Sequence, residues 1–335
     1  MYDKECGLAL RKGKQMDIQE KADNRKRIFA PIIIATLNRY SHLKACIDSL
    51  AANKLAPYTE IFISLDYPPS PQYESGYCQV KAYLEAGIQG FKNTYIFYQN
   101  ENLGPGGNVS FLREKVKEKY DRYIATEDDN VFSHNFLEYM NWVLDTYADD
   151  EEIIGVTGYS QKVCWKHKES PIQVLSNEYN AWGTGIWIPK RIKLMSLFES
   201  GYMDRAVRTK RFLIKLLLNR PDLFPEWLRL IRGKRTAISI NGKIRLCDIT
   251  VTMYMLLENK YSIMPTVTKV NNKGWDGSGV NCGAFDYDQP EMDSSPDWLP
   301  SKQDIVLDAK SNKKTLKRYF WDVKVKRFKE SAFRR

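Results

Sequence analysis

From Phe29 onward the chain alternates short apolar runs with longer stretches whose apolar residues recur every three or four positions. The runs are Phe29 to Thr36, Glu60 to Leu65, Thr94 to Tyr98, Tyr123 to Thr126 and Ile153 to Thr157, with Ile186 to Ile188 as a further candidate. Their length and their β-branched or aromatic content predict buried strands. The intervening periodicity predicts helices over His42–Ala51, from Gly107 to about Tyr120, and over Asp248–Glu258. Strand and helix in alternation imply an α/β fold: a mainly parallel, Rossmann-like sheet flanked by helices on both faces. Ligands in such sheets bind beyond the carboxyl ends of the strands. Asp66, the stretch Asn100–Gly107 and the cluster Glu127-Asp128-Asp129-Asn130 all fall at that edge.

The 335 residues are long enough for one large domain with additions. This predicts a polar leader over 1–28, a catalytic domain over 29–300 with a basic helical insertion over 205–240, and a basic aromatic tail over 301–335. With 43% hydrophobic and 27% charged residues the composition is that of a folded protein. A formal charge of +10 favours anionic partners without choosing among them. The six cysteines are scattered and frame no zinc site, which predicts reduced thiols. No stretch has the length and apolarity of a signal peptide or a membrane span, so a cytoplasmic location is expected.

Adjacent carboxylates at a strand end offer hard oxygen ligands to Mg2+ or Mn2+, and such an ion can bridge a diphosphate. Glu127-Asp128-Asp129 is equally readable as a solvated turn, or as a cap for a helix beginning near His134. Over a longer stretch the order of motifs is informative: a strand followed by Asn38-Arg39, a strand ending in Asp66, Asn100-Glu-Asn-Leu-Gly104, then Tyr-Ile-Ala-Thr-Glu-Asp-Asp-Asn130. This order resembles the GT-A nucleotide-sugar glycosyltransferases. The acidic triplet resembles the N-acetylglucosaminyltransferase I type in particular, and other features resemble bacterial family 2-like sugar transferases. The likeness spans roughly residues 29 to 285 and is specific mainly around the triplet.

The resemblance implies a metal-dependent, inverting transfer from a nucleoside-diphosphate sugar to a glycan or lipid-linked hydroxyl, in cell-surface polysaccharide assembly of the bacterial type. It implies Asp129 as metal ligand, Glu127 and Asp128 as contacts to sugar or ribose, Asp66 as a nucleobase contact, and Thr36 and Arg39 as lining of the nucleotide pocket. For Asp66 a plain turn role before Pro68-Pro69 is as good a reading. Asn180–Trp187 resembles the acceptor loop, with Trp182 stacking on a sugar, whereas Trp187 reads as core. An inverting enzyme needs a base to take the acceptor proton. Asp248 fits that place, with a helix-cap role as its alternative and Asp204 as its competitor. Asn271–Cys282 resembles a mobile lid in which Lys273 offsets diphosphate charge, though a surface loop without function has the same composition. His42 and His134 sit at expected helix starts and His167 in a polar loop, none of them near that lid, so no C-terminal histidine ligand is expected.

Arg205 to Arg235 holds ten Lys or Arg against two acidic residues, and the stretch from Lys310 eleven against two. Each mixes these charges with aliphatic or aromatic residues, as peripheral binding to the inner face of an anionic membrane requires. Packed helices with a solvated basic face satisfy the same pattern. Two other functions compete: a sugar nucleotidyltransferase, for which no Gly-rich, lysine-bearing phosphate loop is present, and a nucleic-acid-binding protein, which leaves the acidic cluster unexplained.

Overall fold

The computed structural model describes residues 28–234, 238–240, 243–278, 288–298, 300 and 304–333, with side chains in the last helix described as far as residue 323. The polar leader up to residue 27 and the end of the glycine-rich loop, with Cys282, lie outside them.

In chain order the elements are β1 (Ile32–Thr36), α1 (Tyr40–Ala51), β2 (Glu60–Leu65), α2 (Glu74–Glu85), β3 (Asn93–Tyr98), α3 (Gly104–Lys117), β4 (Arg122–Glu127), β5 (Asn130–Phe132) and α4 (Phe136–Thr146). There follow β6 (Ile153–Thr157), β7 (Ile172–Leu175), β8 (Thr184–Trp187), α5 (Ile188–Glu199), α6 (Tyr202–Ala206), α7 (Lys210–Asn219) and α8 (Phe224–Ile231). The chain closes with β9 (Ser239–Ile240), β10 (Lys243–Ile244), α9 (Asp248–Glu258), β11 (Tyr261–Pro265), β12 (Val270–Asn272) and α10 (Ala309–Phe333).

Eight strands form one sheet in the order β3-β2-β1-β4-β8-β6-β11-β7. All pairings among β3, β2, β1 and β4 are parallel, as is β6 with β11, whereas β8 and β7 run antiparallel to their neighbours. The expected α/β architecture is therefore present, with two reversed strands that periodicity did not disclose. β1 is buried on both faces because alternate residues serve different layers. Ile32 and Ile34 pack with Leu43, Cys46 and Leu50 of α1, while Ile33 packs with Leu112 and Val116 of α3. At the far edge β3 alternates exposed and half-buried residues, as an uncovered edge strand does.

The glycines after Asn102 form the first turn of α3, which begins at Gly104 with φ 69°, and not a free loop. Asn108 in that turn is buried and donates to the Ser64 carbonyl at 3.0 Å. The basic segment is helical as expected, through α6, α7 and α8, and much of its apolar content is core: Phe212, Leu216, Trp227 and Leu230 are all buried. The basic tail is a docked helix. Asn312 of α10 donates to the Val174 carbonyl of β7 at 3.1 Å, and Leu316 packs with Trp165, Leu175 and Met264.

Candidate active site

The parallel strand order turns outward between β1 and β4, and the segments leaving their carboxyl ends diverge to open a crevice. Thr36 ends β1 and Glu127 ends β4, so the acidic motif rises at that crevice. Asp128 and Asp129 are buried, and one residue of α1's approach holds both. Arg39 ion-pairs with Asp128 and places Nη1 2.8 Å from Asp129 Oδ2. The Thr36 hydroxyl donates to the other oxygen of Asp128 at 2.8 Å. Burial disfavours charge on Arg39, yet the two aspartates outweigh it and hold the guanidinium more firmly protonated than usual. Burial likewise raises the Asp128 carboxyl, with Arg39 acting against it. Thr36 and Arg39 thus meet Asp128 directly, inside the region where a nucleotide pocket was expected.

A short second sheet brings in the glycine-rich loop. β5 pairs antiparallel with β12, setting Asn130 opposite Asn272 and Phe132 opposite Val270. The Lys273 N–H extends this ladder to the Asp129 carbonyl at 2.7 Å. Asn272 donates from Nδ2 to Asp129 Oδ1 at 2.8 Å and to Asn130 at 3.0 Å. Gly274 passes so close that a Cβ there would lie 2.2 Å from Asp129 Oδ2. The Lys273 side chain is exposed. One expectation is corrected here: His42 does reach the lid, its Nε2 lying 2.8 Å from Asp276 Oδ2. Distance along the chain hid a contact that the fold creates by laying the loop over the start of α1.

Because β8 runs antiparallel, it starts at the crevice edge and delivers the residues before it to the site. Gly183 makes that turn with φ 59°, a conformation glycine adopts freely. Trp182 is half-buried, with Tyr159 edge-on at 4.7 Å and Trp275 of the glycine-rich loop at 6.3 Å. Trp187 is core, as expected: its Nε1 donates to the Leu144 carbonyl at 3.0 Å.

Beside the aspartates lies a cavity of about 200 Å3, with Glu127 and Asp248 both on its wall. Partial desolvation at the cavity wall, with repulsion from Asp129 and Asp128, raises the Glu127 carboxyl, although the residue itself stays exposed at the end of β4. Asp248 is the first residue of α9, and Cys247, not Asp248, caps the helix in a reciprocal pair with Thr250. Its Oδ1 accepts from the Ile249 N–H at 2.9 Å. Partial desolvation at the cavity wall nevertheless raises its carboxyl, against those backbone hydrogen bonds, while the residue stays open to solvent. Asp204 is elsewhere, accepting from the Ile244 N–H at 2.9 Å and so pinning β10. Asp66 is buried at the end of β2, and its Oδ1 accepts from Tyr67 at 3.0 Å and Leu103 at 2.8 Å, a turn-building role.

Sequence reasoning missed Asn272, Gly274 and His42. The first two fall within the quoted loop, but only the β5–β12 register separates Asn272 from Asn271. For a metal, the donor chemistry fits: magnesium-type ions take one or two carboxylates and complete their shell from substrate phosphates and water. Asp129 supplies such an oxygen pair, and among the described residues no group of three His, Cys, Asp or Glu converges on one point.

No protein-family model and no curated protein matches this chain. Among solved structures, it is similar to S. aureus TarS 1-349, at 10% identity over 72% of this chain and 60% of that one, with a TM-score of 0.42. It is also similar to the mannosyltransferase PcManGT from Pyrobaculum calidifontis in complex with GDP-Man and Mn2+, at 12% identity over 52% of this chain and 48% of that one, TM-score 0.35. A third is the glycosyltransferase GlyE of Streptococcus pneumoniae TIGR4, at 14% identity, 52% and 40% coverage and a TM-score of 0.29. This chain spans at most 60% of the length of any of these three.

Proposed function

We propose that this chain is a GT-A-type glycosyltransferase, moving a sugar from a nucleoside-diphosphate donor to a hydroxyl of a glycan or lipid-linked acceptor. The observation that carries the reading is the convergence at one crevice of a buried aspartate pair, a loop bonded to one of them, and a second recess holding Glu127 and Asp248. Resemblance of the ordered motifs from Thr36 to Asn130 to that family supports it.

On this reading Asp129 would hold Mn2+ or Mg2+, and the ion would supply positive charge to the leaving diphosphate. Arg39 then leaves Asp129 for the donor's phosphates, and Asn272 with Gly274 keeps the Asp129 carboxylate in place. Glu127 hydrogen-bonds the transferred sugar. The acceptor oxygen forms a bond to the anomeric carbon as the bond from that carbon to the phosphate oxygen breaks. The bonding pair stays on the nucleoside diphosphate, the acceptor proton passes to the Asp248 carboxylate, and the anomeric centre inverts. Trp182 offers its ring to the apolar face of the acceptor, and Lys273 covers the diphosphate. The exposed apolar residues of α7 suit an acceptor at a membrane surface.

Two variants test this together. With UDP-, GDP-, CMP- and dTDP-sugars screened by thermal stabilisation, one donor class should raise the melting temperature of wild type in a Mn2+-dependent way. Asp129→Asn should lose that stabilisation and all turnover. Asp248→Asn should keep it and lose roughly 10²-fold in turnover or more, the scale of general-base catalysis. A wild-type protein that no donor stabilises would overturn the reading, and an Asp248→Asn variant with normal turnover would overturn the base.

A further inference from the structure

Charged side chains taken out of water are ordinarily paired, because desolvation costs more than an isolated charge recovers. Among the described residues the partly buried arginines obey that rule with two exceptions. Arg39 faces Asp128 and Asp129, Arg122 has Asp145 at 2.7 Å, and Arg220 grips Glu178 and Asp222. Arg113, on α3, forms no salt bridge among the described residues, and its buried Nε–H finds no acceptor. Burial lowers its pKa first, and the like charge of Arg191 adds to that, against the softening effect of the phenols Tyr123 and Tyr179. Arg191, on α5, also makes no salt bridge among the described residues, its Nη2 resting 3.8 Å from the sulfur of Met195. The fold therefore brings two positive charges together and gives neither a carboxylate.

Both arginines line the cavity that Glu127 and Asp248 share. Lys190 lines it too, but its ammonium is consumed by the carbonyls of Tyr147, Asp150 and Ile153 at 2.8–3.1 Å. The remaining wall is chiefly aliphatic, so a charge placed there meets little competition from water. At about 200 Å3 the space admits one anionic group with the sugar ring or polyol that bears it, and is too small for a nucleoside diphosphate.

We propose that this cavity is an anion subsite, in which Arg113 and Arg191 receive a carboxylate or phosphate carried by the sugar substrate, seated past Glu127 and Asp248. The proposal rests on the glycosyltransferase reading for the identity of the substrate, and not for the existence of the site. The two guanidiniums are matched to a planar or tetrahedral oxyanion by their fixed donor forks. The exposed Glu127 and Asp248 and the half-buried Arg113 and Arg191 orient the substrate, with neutral hydroxyls toward the carboxylates and the anion toward the guanidiniums. A neutral hexose leaves both arginines unpaired and is disfavoured.

The test is calorimetric titration of the full-length protein with sodium glucuronate, glycerol phosphate and glucose, alongside the matched donor nucleotide with Mn2+. At least one of the two anions should bind, with the tighter one naming carboxylate or phosphate as the group recognised, and glucose should bind at least tenfold more weakly. Arg191→Gln and Arg113→Met should each weaken the anion at least tenfold and leave the nucleotide unchanged. Arg113→Met should also melt at or above the wild-type temperature, because it removes a buried charge that the free protein leaves unpaired. Glucose binding as tightly as the anions, anion binding intact in both variants, or a fall of several degrees in the melting temperature of Arg113→Met would overturn the subsite. Nucleotide binding without anion binding would leave the glycosyltransferase reading standing alone. Arginine-dependent anion binding without any nucleotide binding would do the reverse.

Discussion

Asp129 is the residue on which most of the candidate site bears. One of its oxygens faces Asn272 and the other Arg39, while Gly274 closes over the carboxylate with no room for a side chain. Gly274→Ala forces either the loop or the carboxylate to move, since the new methyl would overlap Oδ2. Overpacking of this kind costs about 1–3 kcal/mol. Spent on the site alone, that corresponds to a loss of roughly 5- to 150-fold in nucleotide affinity with Mn2+. Titration of the donor nucleotide into Gly274→Ala checks this, and unchanged affinity would separate the loop from donor binding. Reading the motif pointed to Asp129 from its residue type and place in the chain. Nothing in the sequence pointed to Gly274, because a steric exclusion between residues so far apart exists only once β5 and β12 pair.

At the scale of elements, α10 shows how a segment read as a tail becomes part of the body. Asp308 precedes its first turn and accepts from the Ser311 N–H at 3.0 Å, with Lys166 Nζ at 3.1 Å and His167 Nε2 at 3.3 Å on its other oxygen. Partial burial opposes the charge, but Ser311 and Lys166 prevail and hold the carboxyl well below the usual range. The folded pKa lies beneath the unfolded value of about 3.9, so the stabilisation is fully present above that pH and is lost as pH falls below it. Asp308→Ala is expected to cost about 1 kcal/mol at pH 7, the usual loss for a cap. Urea denaturation at pH 7 and at about pH 3 reads the effect. The gap between variant and wild type should narrow in acid, and an equal gap at both values would rule out the charged cap. A packed helix is one of the two readings open for this stretch, and basic residues interrupting its apolar positions keep the pattern from choosing. Leu316 and Asn312, both fully buried against the sheet edge, mark the docked side, with Phe320 packed beside them.

Across the whole molecule, the basic segments divide between core and surface. Phe212 and Leu216 of α7 point inward, while Ile214, Leu217 and Leu218 remain 58%, 43% and 62% exposed beside the exposed charges of Lys210 and Arg211. Trp321 of α10 is also exposed, at 53%. Among the described residues no helix is long and apolar enough to cross a membrane. Attachment to a membrane surface would rest on such side chains, and the behaviour expected of it is cosedimentation with vesicles rich in phosphatidylglycerol, weakened by salt. Leu218→Ser should lower the partition by about tenfold, since burying one leucine contributes ~1.5–3 kcal/mol. Equal binding to neutral and anionic vesicles would sink the electrostatic part of this reading, and an unaffected Leu218→Ser the apolar part.

Local pattern alone determined the α/β class, the central strands from β1 to β4, helix α9 from its first residue to its last, and the placing of the acidic triplet at a strand end. Each of these is set by neighbours within a few positions, through β-branched runs, helical periodicity and the break where polar residues begin. What waited for the tertiary structure was whatever depends on direction and pairing between distant segments. The antiparallel course of β8 brings Trp182 to the crevice, and the β5–β12 ladder lays the loop on Asp129. His42 meets Asp276, and Arg113 meets Arg191 without a carboxylate. A strand's orientation and a charge's lack of a partner leave no trace in the residues nearby, because both are properties of the packed chain and not of any one segment.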